Sequence, residues 1–428
     1  MFKENKILNE KVYNEKLHNN MQVFIMPKKG FSKKYAIFAT NFGSNDLEYV
    51  NPHTKKRMRV NDGIAHFLEH KMFEMPDESN VFETFAKLGA SPNAYTNFNM
   101  TAYHFSTAEN FIPALKYLIT YVQTPHFTDE NVEKEKGIIA QEIKMYDDEP
   151  NFRVFFNMLW AMYKTHPNSI DIAGTVDSIY KITKEELYDC YNTFYSPSNM
   201  ALFIVGDVEI EPTMTAIKES VKDKNMFEGC VERILTKESD DVRQKEIVQE
   251  FEISLPIFSM GFKEKNSSVN SGYPLLKKET EMEIINQILF KKGSTLHDKL
   301  YKSSLIFDSL YASYTCNKDY GYVSIESESS DVEKTKSMIL EEIRYYQKNG
   351  VPKSDFERIK RQKTGLFIKA FDSPEYLSNI YLSMYFKGYD IFDYYECLNN
   401  INLDDVNYRL KEMFDENQMV MSIVNPKK

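Results

Sequence analysis

The sequence predicts an α+β protein built from two similar halves. Three observations carry that reading. The chain has 428 residues, more than one ordinary core accommodates, and two domains of roughly 200 residues are the expected division. "VEKEKGIIAQEIKMYDDEPNF" at 132–152 aligns without gaps with "FERIKRQKTGLFIKAFDSPEY" at 356–376; Glu133/Glu357, Lys136/Lys360, Ile143/Phe367 and the D-x-P endings set the register. "ITKEELYDCYNTFYSPSNMALFIVGD" resembles "INLDDVNYRLKEMFDENQMVMSIVNP" at nearly the same offset, about 220 residues. A capped helix leads into a strand in both, which favours a duplicated domain over two unrelated helix–strand units.

The elements follow in order. "MQVFIMP" and "KYAIFATNFGS" run apolar around the turn-rich "KKGFSK" and predict a β-hairpin. Asp62 is placed to cap a helix over 63–74. "ESNVFETFAKLGA" predicts a second helix with Phe82, Phe85 and Leu88 on its inner side and Gly89 ending it. "NAYTNFNMTAYHFST" predicts two short strands around a polar turn, and helical periodicity returns over 111–122 and 130–146. The stretch "KESVKDKNMFEGCVERILTKESDDVRQKE" is dense in charge and poor in apolar periodicity, so it reads as a linker. The resulting division is 1–228, a linker at 229–245, and 246–428.

Apolar content of 42% and charged content of 27% are those of a soluble globular protein. A net charge of −10 argues against nucleic-acid binding and gives a weak attraction for basic or neutral substrates. The N-terminus lacks the apolar core of a signal peptide, and 18 consecutive apolar residues occur nowhere. Cys190, Cys230, Cys316 and Cys397 are scattered, without a C-x-x-C pair, as in reduced thiols of a cytoplasmic protein.

Chemistry is concentrated in "GIAHFLEHKMFE". Residues four apart share a helix face, so His66 and His70 project side by side and can chelate one zinc ion. Glu69 lies at the edge of that face, within reach of a metal-bound water. H-x-x-E-H is H-E-x-x-H reversed: two ligands and one base. A chance match has a probability of roughly one per cent. Catalytic zinc needs a third protein ligand, commonly a carboxylate.

The helix over 130–146 offers two. Val132, Glu135, Ile139, Glu142 and Tyr146 form one stripe, flanked by Ile138 and Ile143, with Lys134, Lys136, Gln141 and Lys144 directed elsewhere. Two inward glutamates are either ion-paired or snorkelling, or are balanced by a metal. In the second half their aligned positions are Ile359 and Leu366, and that half has no H-x-x-E-H. The difference favours a local function for the glutamates.

Together these residues resemble the pitrilysin, insulinase and mitochondrial processing peptidase family of zinc peptidases, and most nearly its bacterial members. The resemblance spans essentially the whole chain through "DGIAHFLEH", "NAYTNFNMTAYHF", "VEKEKGIIAQE", "FYSPSNMALFIVGD" and "DSPEY". It implies two homologous domains, each a mainly antiparallel sheet with helices packed on it, that enclose a chamber with a paired half or subunit. It implies Zn²⁺ held by His66, His70 and Glu142, Glu69 as catalytic base, and Glu135 as a supporting catalytic residue that orients a ligand or another part of the metal site. Peptide would add as a strand along an edge containing Asn93, Ala94 and Tyr95.

One departure stands out. The family's arginine and tyrosine seven apart, which bind substrate from the second domain, fall here on Tyr301 and Asp308 in "LYKSSLIFDS", with Tyr311 and Tyr314 as the nearest substitutes. The expected activity is zinc-dependent endopeptidase, as a homodimer or as a heterodimer with a homologous subunit that supplies the missing pair. The alternative is a metal-binding but catalytically incomplete subunit or a peptide-binding scaffold. A small zinc lyase acting on S-ribosylhomocysteine shares H-x-x-E-H but uses a cysteine ligand, and none lies between His70 and Cys190. His104 reads as a packed strand residue, His126 and His166 as loop residues, and "KKGSTLHDK" lacks the second glycine of a phosphate loop.

Overall fold

The apolar runs of the first half become strands of one sheet in the computed structural model, which describes residues 1–5, 7–223, 227, 229–235, 237–265 and 271–427. Residue 236 of the linker segment and residue 228 before it lie outside the described residues. The chain forms two compact units, each drawn from three segments. Met1–Ile143, Asp171–Leu235 and Ala370–Phe386 make the first; Lys144–Ile170, Thr236–Lys369 and Lys387–Lys428 make the second.

The first unit holds a seven-stranded sheet of β1 (Phe2–Asn5), β2 (Glu10–Lys16), β3 (Gln22–Pro27), β4 (Lys34–Thr40), β5 (Ala90–Thr96), β6 (Thr101–Thr107) and β7 (Met200–Gly206), in the order β1-β2-β3-β7-β4-β6-β5. The hairpin expected between β3 and β4 does not form. β7 lies between them, parallel to β3 and antiparallel to β4. The reason is burial: the middle of β3, most of β4 and all of β7 are buried. Strands apolar on both faces belong in the middle of a sheet, and β7 supplies a deeper neighbour than the local turn could. The hairpin expected from "NAYTNFNMTAYHFST" does form, as β5 paired antiparallel with β6.

The second unit repeats the pattern. Its sheet comprises β8 (Glu246–Phe251), β9 (Ile257–Lys263), β10 (Tyr311–Cys316), β11 (Gly321–Glu328) and β12 (Met419–Pro426), in the order β8-β12-β9-β11-β10. The pairing β8–β12 is parallel and the other three are antiparallel. The run β3-β7-β4-β6-β5 has the same order and the same parity. The fold is α+β with two homologous, mainly antiparallel sheets carrying helices.

Three helices of the first unit, α1 (Ile64–Lys71), α2 (Val81–Lys87) and α3 (Phe111–Val122), matter for the site, with α4 (Asp129–Asp147), which belongs to that unit as far as Ile143. Asp62 is not the cap of α1. That position belongs to Gly63, at φ 87°, where a Cβ would come within 2.3 Å of the Ala173 carbonyl. The Asp62 carboxylate meets Arg59 at 3.0 Å instead, and its carbonyl accepts from Ser178 Oγ at 2.8 Å. On α2 the inner residues are Val81 and Phe85, whereas Phe82 is half exposed and stacks on Phe73. Asn80 caps this helix through two backbone N–H groups.

Each sheet also receives a helix from the other half of the sequence. α5 (Pro150–Met162) belongs to the second unit, where Val154 packs with Ile257 and Val424. Gly261 lets it approach closely, since a Cβ there would lie 2.5 Å from Met162 Cε and 2.7 Å from Met158 Sδ. In the second half, α6 (Lys353–Ala370) precedes α7 (Pro374–Lys387). α7 lays Tyr381 against Phe24 and Phe203 of the first sheet, with ring centroids 5.0 and 4.2 Å apart. Among the described residues no helix is long and apolar enough to cross a membrane.

Candidate metal centre

α1 buries Ile64, Phe67 and Leu68, each at most 1% exposed, and leaves His66 and His70 on its outer face with ring centroids 4.5 Å apart. α4 directs Val132, Ile139 and Ile143 into the core and Glu135 and Glu142 to the same side as the histidines. Lys136, expected to face away, is also buried and pairs with Glu133.

The facing atoms form a triangle. His66 Nε2 lies 3.7 Å from one oxygen of Glu142, and His70 Nε2 lies 3.4 Å from the other. One donor atom from each of His66, His70 and Glu142 lies within 4.8 Å of the other two, a grouping that could hold a metal ion. Tetrahedral zinc with bonds near 2.0–2.1 Å separates its ligand atoms by about 3.3 Å. The two nitrogen–oxygen distances, which run to different oxygens of Glu142, are close to that spacing.

The surroundings also fit a metal. Zinc requires neutral imidazoles. Burial, reinforced by the charge of His70, pulls the pKa of His66 down to about 3. His70 Nδ1 lies 3.0 Å from Glu135 Oε1. With its proton on Nδ1 as donor to Glu135, Nε2 is left with a lone pair facing Glu142. Burial pulls the His70 pKa down, but the Glu135 hydrogen bond and the charges of Glu135, Glu142 and Glu69 outweigh it, so the net shift is upward. A divalent cation offsets the same carboxylate field.

Glu69 is 8% exposed, and its carboxylate accepts from Thr96 Oγ1 at 2.7 Å. Burial raises its pKa against the opposing effects of Thr96 and His70, with Glu142 adding to the rise. An upward shift makes a carboxylate a stronger base, which suits proton transfer. Asn93, Ala94 and Tyr95 lie on β5, the terminal strand of the sheet, and α1 packs against that strand. Their inner edge pairs with His104, Tyr103 and Ala102 of β6.

Comparisons with known proteins assign the chain to a family. Residues 58–176 match the model of "Insulinase (Peptidase family M16)", and residues 181–363 match that of "Peptidase M16 inactive domain". The uncharacterized zinc protease YmfH of Bacillus subtilis is 40% identical over 425 residues, covering 98% of each chain. The chain belongs to the insulinase family, peptidase family M16. The putative M16-like peptidase of Alicyclobacillus acidocaldarius superposes with a TM-score of 0.94 at 34% identity, covering 98% of this chain and 99% of that one. A protease from Helicobacter pylori shares the fold, with a TM-score of 0.84 at 19% identity over 97% and 100% of the two chains. A probable inactive metalloprotease of Bacillus subtilis, YmfF, is 23% identical over 59% of this chain and 58% of its own. The M16 family is thus one of hydrolases that also contains members named as inactive.

Two site residues escaped the sequence reading. Thr96 stands inside the "NAYT" motif, yet only the fold brings its hydroxyl to Glu69. Lys71 is fully buried beside His70, donating to the Asn131 carbonyl at 3.1 Å and pairing with Glu74 at 2.7 Å and Glu135 at 3.9 Å. In sequence it cannot be told from a surface lysine. Other candidates are placed in the fold: His104 pairs in register with Ile37 and Asn93, the His126 carbonyl accepts from Asn131, and His166 is buried against Asp319. In the second unit Tyr301 is exposed and Asp308 pairs with Lys292. The Tyr314 hydroxyl donates to Glu264 at 2.7 Å, and that of Tyr311, a residue 59% exposed, donates to Asp308 at 3.2 Å.

Proposed function

We propose that the chain is a zinc-dependent endopeptidase that hydrolyses peptides bound in extended form inside a chamber. The observation that carries this reading is the convergence of His66 Nε2 and His70 Nε2 on the two oxygens of Glu142. His66, His70 and Glu142 would hold the ion. Bound there, zinc supplies Lewis acidity, which polarises a scissile carbonyl and makes water nucleophilic near neutral pH. Glu69 takes the proton of the attacking water and delivers it to the leaving amine. Glu135 fixes the tautomer and ring orientation of His70. Asn93, Ala94 and Tyr95 offer backbone groups on the free edge of β5, which would take a peptide as an added strand with little dependence on its sequence.

The division into sequence domains 1–228 and 246–428, joined by 229–245, belongs to the same proposal, as does a cytoplasmic site of action. Cys190, Cys230, Cys316 and Cys397 are all free thiols, in keeping with a reducing compartment. A second reading rests on one observation. Tyr301 and Asp308 occupy the places of a substrate-binding arginine and tyrosine, so a homologous partner subunit would supply that pair and the active form would be a heterodimer rather than a homodimer.

Replacing Glu69 by Gln tests the reaction. The expected result is a loss of peptide cleavage of about 10²–10⁴-fold with zinc still bound. Unchanged cleavage in Glu69→Gln removes the proposed base. Wild-type chain that cleaves unstructured peptides only after a homologous partner is added selects the heterodimer.

A further inference from the structure

We infer that Thr96 is a positioning residue that holds the Glu69 carboxylate in its working orientation, its own place fixed by the pairing of β5 with β6. The inference rests on the endopeptidase reading and adds a component to it.

A nearly buried carboxylate without fixed partners would sample several rotamers, and each departure from the reacting geometry lowers the rate. Glu69 sits on α1 with one of its oxygens, Oε2, engaged by Thr96 Oγ1 at 2.7 Å. That leaves Oε1 for the water proton. Thr96 is itself held. It is the last residue of β5, in register with Thr101 at the start of β6. Thr101 Oγ1 gives its proton to the Phe42 carbonyl at 2.9 Å and Thr96 Oγ1 gives its own to Glu69, so the 3.2 Å contact between the two hydroxyl oxygens is packing, and the backbone pairing of the strands holds Thr96. Thr101 is fully buried, so this support does not exchange with solvent.

The position of Thr96 gives the contact a second consequence. It directly follows Asn93, Ala94 and Tyr95 on the edge strand where the peptide is proposed to pair. One hydrogen bond therefore joins the strand that would register the peptide to the helix that carries the base. Displacing Thr96 shifts Glu69 relative to a bound peptide without touching His66, His70 or Glu142. The defect belongs in turnover and leaves zinc and peptide affinity alone.

Thr96→Val keeps the shape and removes the hydroxyl; Thr96→Ser restores it. The structure predicts that Thr96→Val lowers kcat by about 10–100-fold, with KM within about twofold and zinc content unchanged, and that Thr96→Ser recovers most of the rate. In a Glu69→Gln background, adding Thr96→Val leaves the Kd for a fluorescent unstructured peptide unchanged. A crystal structure of Thr96→Val shows the Glu69 carboxylate turned from its present position, a readout that holds whether or not the wild type cleaves peptide. The inference is overturned by full kcat in Thr96→Val, by an unmoved Glu69, or by weaker peptide or zinc binding, which would make Thr96 a substrate or scaffold residue. Failure of the endopeptidase reading would appear instead in the wild type, as zinc bound without cleavage.

Discussion

α4 and α6 are the same helix in two copies of one domain, and they differ where the chemistry is. α4 carries Glu135 and Glu142; α6 carries Ile359 and Leu366 at the aligned positions. Ile359 is fully buried in the second core and Leu366 is 53% exposed, as Glu135 is buried and Glu142 half-buried. The scaffold thus accepts an apolar residue at both places. Carboxylates at the α4 positions cost desolvation that an apolar pair does not. A cation held beside the two imidazoles would offset that cost, and the second copy has no H-x-x-E-H to hold one.

Exchanging residues between the helices sharpens this comparison. The largest effect is expected from Ile359→Glu, which places a carboxylate at a fully buried position. Denaturant unfolding should show a loss of about 3–5 kcal/mol. A loss below about 1 kcal/mol would mean that α6 tolerates charge and that the contrast with α4 is empty.

The reciprocal change, Glu135→Ile, removes the partner of His70 Nδ1. Zinc affinity measured by chelator competition should fall about 10–100-fold, whereas the metal-free protein should melt no lower than the wild type. Unaltered affinity would assign Glu135 to packing alone.

A smaller effect separates the units by pH. In the second unit Glu238 accepts from Lys263 at 2.7 Å and from the backbone of Lys164, Thr165 and His166. Burial works to raise its pKa, but these donors outweigh it and hold the pKa down at about 2. The folded pKa lies below the unfolded one. Its stabilisation is therefore complete above about pH 4.3 and lost as pH falls from there toward 2. Glu238→Gln should flatten that part of the acid-unfolding curve; an unchanged curve would contradict the assignment. The smallest effect belongs to Leu366→Glu, which is solvated and should stay within about 0.5 kcal/mol of wild type.

What could be read before the fold was seen followed from periodicity and spacing. His66 and His70 are local, four residues apart, and the inward stripe of α4 is visible as Val132, Glu135, Ile139 and Glu142. The duplication surfaced for the same reason, because helix–strand units keep their register. What could not be read is non-local. β7 entering between β3 and β4 depends on residues more than 150 positions away, and nothing in "KKGFSK" reveals it. The cap of α1 depends on Ala173 and Gly174 abutting Gly63, so a local signal at Asp62 pointed to the wrong residue. Phe82 and Lys136 reversed their expected exposure because neighbouring elements, not the pattern of their own helix, decide which flank is covered. Thr96 and Lys71 became site residues only through tertiary contact.

The most direct test of the account is elemental analysis of the purified wild-type chain beside Glu142→Gln, both dialysed against the same zinc-containing buffer. The account predicts about one zinc per wild-type chain and little or none in the variant, with both proteins equally folded by circular dichroism. Equal zinc in the two, or none in either, would contradict it.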